Sequence, residues 1–353
     1  MDGQAMQNEV ILGVDTHLDL HVGAVISGTG KLLGTLATAT NASGYLQLLT
    51  WARSLGCLRR AGVEGTGTYG ACLARTLSEQ GIEVLEVNRP DRSKRRLKGK
   101  SDPTDAENAA RSVLSGQATA IPKSHTGAAE AMRTLAVARR SAVKAKTQAI
   151  NQLRAILVSA PQEIRDRLWK TKAEQCVAGC AQLRQLGPST LLLALTSTLR
   201  LLAKRWMMLA AELKELDAQL EKLTTQFAPR LREQFGVGPL TAATLIVVAG
   251  DNPERLRSEA ALAALCGVNP LPASSGKTIR HRLNRGGNRQ ANNALWTIAM
   301  VRMRSEPRTL AYVEKRTMEG MSNKEIHCCL KRYVIRELYP YILADLGAAA
   351  GNP

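Results

Sequence analysis

The sequence predicts an α/β N-terminal part followed by a mainly helical remainder, and three patterns support this. Short apolar segments separated by turn residues open the chain at 9–15, 21–27 and 32–38. Residues 126–158 have the composition of a long helix or helical hairpin, and a leucine repeat begins at residue 192. The short segments favour strands, whereas the spacing of three and four in the repeat favours a helix.

The N-terminal segments predict an antiparallel meander followed by alternating helices and strands. A helix is expected over 43–55, a strand ending at Glu64, a helix near 70–80 and a further strand over 82–87. Three meander strands followed by alternating elements favour a ribonuclease H-like layer over a doubly wound nucleotide fold.

The leucine repeat has the period of a coiled coil. Its members are Leu192, Leu195, Leu199, Leu202, Trp206, Leu209, Leu213, Leu216, Leu220, Leu223 and Phe227. Steps of three and four continue over about five heptads. We expect self-association through this seam, and an intramolecular helical hairpin is the alternative.

These patterns divide the chain into three domains and a tail. We expect an α/β domain over 1–120, basic helices and a coiled coil over 121–228, and a helical domain over 229–346, with a tail over 347–353. A Gly-x-Gly turn in FGVG, before a helix of the third domain, is typical of helix-hairpin-helix modules, in which amides at a helix start contact a DNA phosphate.

Charge indicates the class of partner. Forty-eight Lys and Arg against 30 Asp and Glu give a net charge of +18, which favours a polyanion. The charge is spread over many segments, so nucleic acid is favoured over a membrane surface. No apolar stretch approaches the roughly 18 residues of a membrane helix, and no signal peptide is recognisable. Seven cysteines without a framework spacing suggest reduced thiols and a cytoplasmic protein.

The basic charge is concentrated in segments 89–100, 133–154 and 277–289. Such segments suit contacts to a nucleic-acid backbone. The candidate contact residues are Arg92, Lys94, Arg95, Arg96, Lys98, Lys100, Arg139, Arg140, Lys144, Lys146, Lys277, Arg280, Arg282, Arg285 and Arg289.

Four acids are candidates for a metal site. Asp102 and Asp105 lie three apart at a predicted helix start, where helix capping alone could explain them. Asp15 and Glu64 end predicted strands, at the rim of the expected sheet. Clustered carboxylates repel one another unless a cation lies between them, and oxygen donors suit Mg²⁺. We expect the nearby His17 and His21 to be surface or core residues rather than ligands.

Several motifs closely resemble the DEDD-type insertion-sequence transposases, the bridge-RNA-guided serine recombinases of bacteria. They are GVDTH, VEGTGTYG, NRP…KGKSDPTDA and NPLPASSGK…NRGGNRQANNAL, in order along nearly the whole chain. The resemblance implies that Asp15, Glu64, Asp102 and Asp105 are the Mg²⁺-binding tetrad of a Holliday-junction-resolvase-like domain. It also implies that Ser275, in a C-terminal transposase domain, attacks DNA, and that a bridge RNA chooses target and donor.

The chain is therefore expected to be a DNA transposase that acts through a phosphoserine intermediate, as a homo-oligomer that is a dimer or tetramer. Ser274 is the alternative nucleophile. A Ser-Gly turn exposes a hydroxyl, and neighbouring cations would stabilise a pentacovalent phosphate. A structure-specific nuclease that uses water is the alternative function. A sugar-kinase-like phosphotransferase would leave the basic segments unexplained, and a non-catalytic RNA-binding protein would leave the clustered acids unexplained.

Overall fold

The computed structural model describes residues 9–87, 101–277 and 281–350. The chain forms two compact units, Met1–His125 and Thr126–Pro353. The first unit contains a five-stranded sheet, and the second is mostly helical. The further division of the second unit at residue 228 stays a prediction.

The sheet confirms the predicted meander. Its strands are β1 (Glu9–Thr16), β2 (Leu20–Ser27), β3 (Leu32–Ala39), β4 (Cys57–Glu64) and β5 (Glu83–Val87), in the order β3-β2-β1-β4-β5. The first three strands pair antiparallel, whereas β4 runs parallel to β1 and β5 parallel to β4. The central strand β1 therefore has a paired neighbour on each side, and its carboxyl end lies beside that of β4.

Helices cover both faces of this sheet. Helices α1 (Ala42–Ser54) and α2 (Ala71–Glu79) pack on one face, and α3 (Asp102–Leu114) packs on the other. Successive residues of a strand point to opposite faces. In β1 the even-numbered residues from Val10 to Val14 belong to the core beneath α1 and α2. The odd-numbered positions, which include Asp15, face α3.

Two glycines let α3 lie directly on the strands. A Cβ atom at Gly13 would lie 2.1 Å from the carbonyl oxygen of Ala106, and one at Gly62 would lie 2.8 Å from that of Ala109. These glycines are register partners on β1 and β4. Each lies two residues before an acid, so Asp15 and Glu64 share the face against which α3 packs.

The second unit begins with a long antiparallel helical hairpin. Helices α4 (Ala128–Ser159) and α7 (Thr190–Phe227) are joined by α5 (Gln162–Leu168) and α6 (Ala173–Ala181). The start of α4 packs near the end of α7, and the end of α4 packs against the start of α7. The long helices predicted for this region are thereby confirmed.

The partner of the leucine seam differs from the expectation of self-association. Its most deeply buried members lie against α4 of the same chain: Leu195, Leu199, Trp206, Leu209, Leu213 and Leu220. The alternative, an intramolecular hairpin, is therefore the arrangement found. A coiled-coil period specifies that a second helix covers the seam, but it does not specify which chain supplies that helix.

The rest of the second unit is a helical domain with one small hairpin. Its elements are α8 (Pro229–Arg232), α9 (Pro239–Ala249), α10 (Glu259–Leu265), β6 (Pro270–Pro272), β7 (His281–Leu283), α11 (Arg289–Ser305), α12 (Pro307–Met318) and α13 (Asn323–Ala350). The Gly-x-Gly turn lies between α8 and α9, where the Gly238 amide donates to Thr241 Oγ1 at 2.9 Å. None of the helices in the described ranges is long and apolar enough to span a membrane.

Truncating the seam should destabilise the chain itself. Leu199 is fully buried, so Leu199→Ala should lower the free energy of unfolding by about 2–5 kcal/mol. Leu201, on the same helix, is 65% exposed, and Leu201→Ala should change it by less than about 0.5 kcal/mol. Urea unfolding measures both. A Leu199→Ala variant of unchanged stability but lower mass in light scattering would instead indicate a seam between chains.

Candidate metal centre and nucleophilic serine

Two of the predicted acids lie at adjacent strand ends. Asp15 is next to last in β1, Glu64 is the last residue of β4, and their exposures are 6% and 8%. The Thr16 hydroxyl donates to the Glu64 carbonyl oxygen at 3.0 Å, which ties the two strand ends together. The parallel pairing of β1 and β4 therefore places both acids at one edge of the sheet.

Helix α3 brings the other two acids to this edge. Ser101 is the N-cap, and Asp102 and Asp105 lie in the first turn. Asp105 is 3% exposed, whereas the Asp102 side chain is 44% exposed. The contact between Ala106 and Gly13 fixes this turn near the end of β1. The predicted helix start is confirmed with Ser101 as N-cap, and both acids of the first turn act electrostatically on Asp15.

His17 also lies in this cluster, where its half-exposed side chain is a further candidate ligand. Its Nε2 atom lies 3.2 Å from Asp15 Oδ2 and 3.6 Å from Asp102 Oδ1. The signal in the sequence is its place two residues after a strand-end acid, where the chain turns back over the sheet edge. His21 is the core histidine that was expected, because its buried ring stacks on Tyr45 with centroids 5.6 Å apart.

The electrostatics of the cluster favour a bound cation. Burial raises the pKa of Asp15 above its usual value, and the neighbouring charges of Asp102 and Asp105 raise this pKa further. His17 acts in the opposite direction and lowers the Asp15 pKa. A divalent cation would relieve the same repulsion, since it favours the ionised form of every carboxylate around it.

The donor atoms fit a divalent ion. One ligand atom from each of Asp15, His17 and Asp102 can be chosen so that all three lie within 4.8 Å of one another. Bonds of about 2.1 Å around one ion would separate the ligand atoms by about 3–4 Å. The open sides of His17 and Asp102 leave room for water or a substrate phosphate. The Asp-His-Asp group is thus compatible with a metal centre.

Ser275 lies in the second unit, in the loop between β6 and β7. Ser274 and Ser275 are both exposed, and Gly276 has a positive φ of 54°. Lys277 lies in this loop, and Arg282, Arg285 and Arg289, further along the chain, are also exposed, while Arg280 lies outside the described residues. The predicted exposed Ser-Gly turn is therefore present, and the hydroxyl of Ser275 is accessible to solvent.

Asparagines of the NRGGNRQANN motif hold the base of this hairpin. Asn284 Nδ2 donates to Asn269 Oδ1 at 2.8 Å, and Asn292 Nδ2 donates to the Gly267 carbonyl oxygen at 2.9 Å. Lys331 donates to Asn292 Oδ1 at 2.8 Å. Gly267 and Gly287 touch so closely that a Cβ at Gly287 would lie 2.2 Å from the Gly267 nitrogen. These contacts hold the base of the β6–β7 hairpin, whose loop contains the exposed Ser275.

The candidate nucleic-acid contacts fall into three groups. Arg92, Lys94, Arg95, Arg96, Lys98 and Lys100 lie outside the described residues. Lys277, Arg282, Arg285 and Arg289 are exposed, and Arg280 lies outside the described residues.

On α4, three cations are already engaged within the chain. Arg139 pairs with Asp217 at 2.5 Å, Arg140 donates to Gln290 at 2.8 Å, and Lys146 lies 4.5 Å from the Trp206 ring centroid. Lys144 is exposed. The sequence spacing could not reveal these internal partners, and of the four candidate contacts on α4 Lys144 is the exposed one.

Two family models match separate parts of the chain. A DEDD-type IS110 model described as a transposase matches residues 12–160. A model described as the transposase IS116/IS110/IS902 family matches residues 228–314. The chain belongs to the IS110 family of transposases. The first match contains the four acids and His17, and the second contains Ser275.

A curated member of the IS110 family supports this assignment. The insertion element IS110 uncharacterized 43.6 kDa protein of Streptomyces coelicolor is 32% identical over 129 residues. The match covers 36% of this chain and 32% of that protein. This chain therefore spans about a third of the length of its relative.

The buried acid of this IS110-family site should carry a cost in stability. Since the Asp15 pKa is raised in the folded protein, the folded state binds more protons than the unfolded state as pH rises above 3.8. The free energy of unfolding should therefore fall as pH rises above 3.8. Asp15→Asn removes the titrating carboxylate and should remove this decrease. Urea unfolding in chelator from pH 3 to 7 measures it. The matched control is Asp19→Asn, because Asp19 is exposed. Parallel pH profiles for wild type and Asp15→Asn would contradict the prediction.

Proposed function

We propose that this chain is a DNA transposase that cuts and rejoins DNA with Ser275 as nucleophile and Asp15, Glu64, Asp102 and Asp105 as its metal-binding tetrad. The observation that carries the proposal is the convergence of Asp15 and Asp102 at one sheet edge, in a chain matched by transposase models over both parts. The strand order β3-β2-β1-β4-β5 supports a ribonuclease H-like, Holliday-junction-resolvase-like domain. The carboxylate set predicts Mg²⁺.

Each group has a chemical role in this proposal. The bound ion would supply charge neutralisation and Lewis acidity at a DNA phosphate. The four acids stay at the sheet edge because β1, β4 and α3 hold the backbone of each residue in place. Ser275 Oγ attacks the phosphorus, the bond to the leaving sugar oxygen breaks, and the hydroxyl proton is transferred to that oxygen. Attack by a sugar hydroxyl of another strand reverses the step and frees the serine, so bond energy is conserved.

Charge supports the choice of partners. Lys277, Arg282, Arg285 and Arg289 follow Ser275 in the chain and are exposed, so they suit contacts to DNA phosphates. We propose a bridge RNA as the source of target and donor choice, since the basic segments suit backbone contacts more than base readout.

Assembly into a dimer or tetramer is also part of the proposal, through a surface other than the buried leucine seam. The chain would act in the cytoplasm, where bacterial DNA lies.

The covalent intermediate is directly testable. Wild-type protein with a nicked suicide substrate should give a DNA-linked band on a denaturing gel, and Ser275→Ala should abolish it. Ser274→Ala is the matched control and should retain the band. Asp15→Asn or Asp102→Asn should lower its yield by at least about 100-fold, as should chelation reversed by added divalent ion.

Other results would identify other chemistries. An adduct that persists in Ser275→Ala but disappears in Ser274→Ala would assign the attack to Ser274. Cleavage without an adduct in all variants would favour hydrolysis by water. Full activity in chelator would contradict the metal site.

The RNA proposal predicts reprogrammable insertion. The protein is purified with the transcribed sequence that flanks its gene, the bound RNA is sequenced, and its target loop is rewritten. Because base pairing would carry the specificity, insertion should move to the newly matched site. A scrambled loop of equal length is the control and should abolish insertion at either site. Unchanged target choice in RNA-free protein would assign specificity to the protein.

A further inference from the structure

We propose that His17 is a direct ligand of the metal centre and that its nitrogen makes the site favour Mn²⁺ over Mg²⁺. This inference rests on the proposed function, because it specifies the ion held by the same carboxylates. Its starting point is the position of His17 Nε2 between Asp15 Oδ2 and Asp102 Oδ1, 3.2 Å and 3.6 Å away.

These distances suit ligands that share one ion. Two atoms bound at about 2.1 Å and at right angles lie about 3.0 Å apart, and a wider angle increases the separation. The two separations therefore match adjacent positions around a single ion. The three side chains come from the end of β1, the turn after it and the first turn of α3, and one ligand atom of each lies within 4.8 Å of the other two.

The backbone holds His17 in this place. Its amide donates to the Leu20 carbonyl oxygen at 3.1 Å, and its own carbonyl oxygen accepts from Thr40 Oγ1 at 3.3 Å. The residue thus lies in a closed turn between β1 and β2. The side chain is 43% exposed, so it is not positioned there by apolar burial. The fixed turn keeps the ring beside the carboxylates of Asp15 and Asp102.

A nitrogen ligand changes which ion the site prefers. Mg²⁺ is a hard ion that prefers oxygen donors and retains water, whereas imidazole is a better ligand for first-row transition ions. The cluster still contains mainly carboxylates, which suit Mn²⁺ better than softer ions. One imidazole among carboxylates therefore favours Mn²⁺ over Mg²⁺.

The competing explanation is an ion pair in which His17 only neutralises the two carboxylates. In that case His17 would compete with a metal ion, and its removal would strengthen metal binding. The two explanations thus predict opposite effects of His17→Ala on Mn²⁺ affinity. They also differ in whether nitrogen is bonded to the ion.

The experiment measures metal binding without any DNA reaction. Untagged full-length protein is freed of metal and titrated with Mn²⁺, and the loss of the free-ion signal in electron paramagnetic resonance is followed. Competition with Mg²⁺ gives the ratio of affinities. Electron spin echo modulation then tests for ¹⁴N bonded to the bound Mn²⁺. Wild type should show the nitrogen modulation and bind Mn²⁺ at least about tenfold more tightly than Mg²⁺.

Matched variants assign the signal. His17→Ala should lose the nitrogen modulation and weaken Mn²⁺ binding by about 10- to 100-fold, with a smaller effect on Mg²⁺. His17→Asp should also lose the modulation but shift preference toward Mg²⁺, because an oxygen donor replaces nitrogen. Asp19→Asn, which removes a nearby exposed charge, should behave as wild type. Circular dichroism checks that each variant is folded.

Two outcomes separate this inference from the proposed function. Bound Mn²⁺ without nitrogen modulation, or stronger binding in His17→Ala, would overturn the role of His17 and leave the carboxylate site in place. Absence of binding of either ion to wild type, at concentrations that support recombination, would overturn both the His17 ligand and the proposed metal tetrad.

Discussion

The close contact between α3 and the glycines of β1 and β4 is the constraint on which the site depends. Gly13 and Gly62 are register partners, and a side chain at either would meet the backbone of α3. The contact brings the first turn of α3 to the edge where Asp15 and Glu64 end their strands. The acids repel one another, and the packing of α3 on β1 and β4 opposes this repulsion. The packing contacts at Gly13 and Gly62 lie two residues away from Asp15 and Glu64 along the strands.

The sequence predicts the acids better than it predicts their partners. Strand-end acids and a helix start are local patterns, so the places of Asp15, Glu64 and Asp105 follow from periodicity and capping rules. The contacts of His17 could not be predicted, because a histidine in a turn has no periodic pattern and only the packing of α3 brings Asp102 beside it. The seam on α7 was visible as a period, yet its partner α4 lies more than 30 residues earlier in the chain.

Contacts between distant residues organise the second unit in the same way. The amide of Ala129, at the start of α4, donates to Asp251 Oδ1 at 2.7 Å, and the amide of Leu231 donates to Asp345 Oδ2 at 2.9 Å. Buried helix-end amides need such acceptors. Local sequence contains no sign of them because each acceptor lies more than 100 residues away. Capping rules therefore locate a helix start only where the cap is local, as at Asn41 of α1.

In the proposed function, the carboxylate cluster and the serine have opposite structural needs, and they lie on different architectures. Carboxylates that repel one another must be held by rigid packing, and a sheet edge covered by α3 meets that need. A nucleophilic serine must reach a phosphate, which requires exposure. The loop around Ser275 is exposed, while Asn284 and Asn292 fix its base. Burial thus raises the pKa of Asp15 at one site, and exposure keeps a hydroxyl accessible at the other. Within the first unit, the proposed ligand His17 lies on the open side of the site beside the half-exposed Asp102, whereas Asp15 is buried.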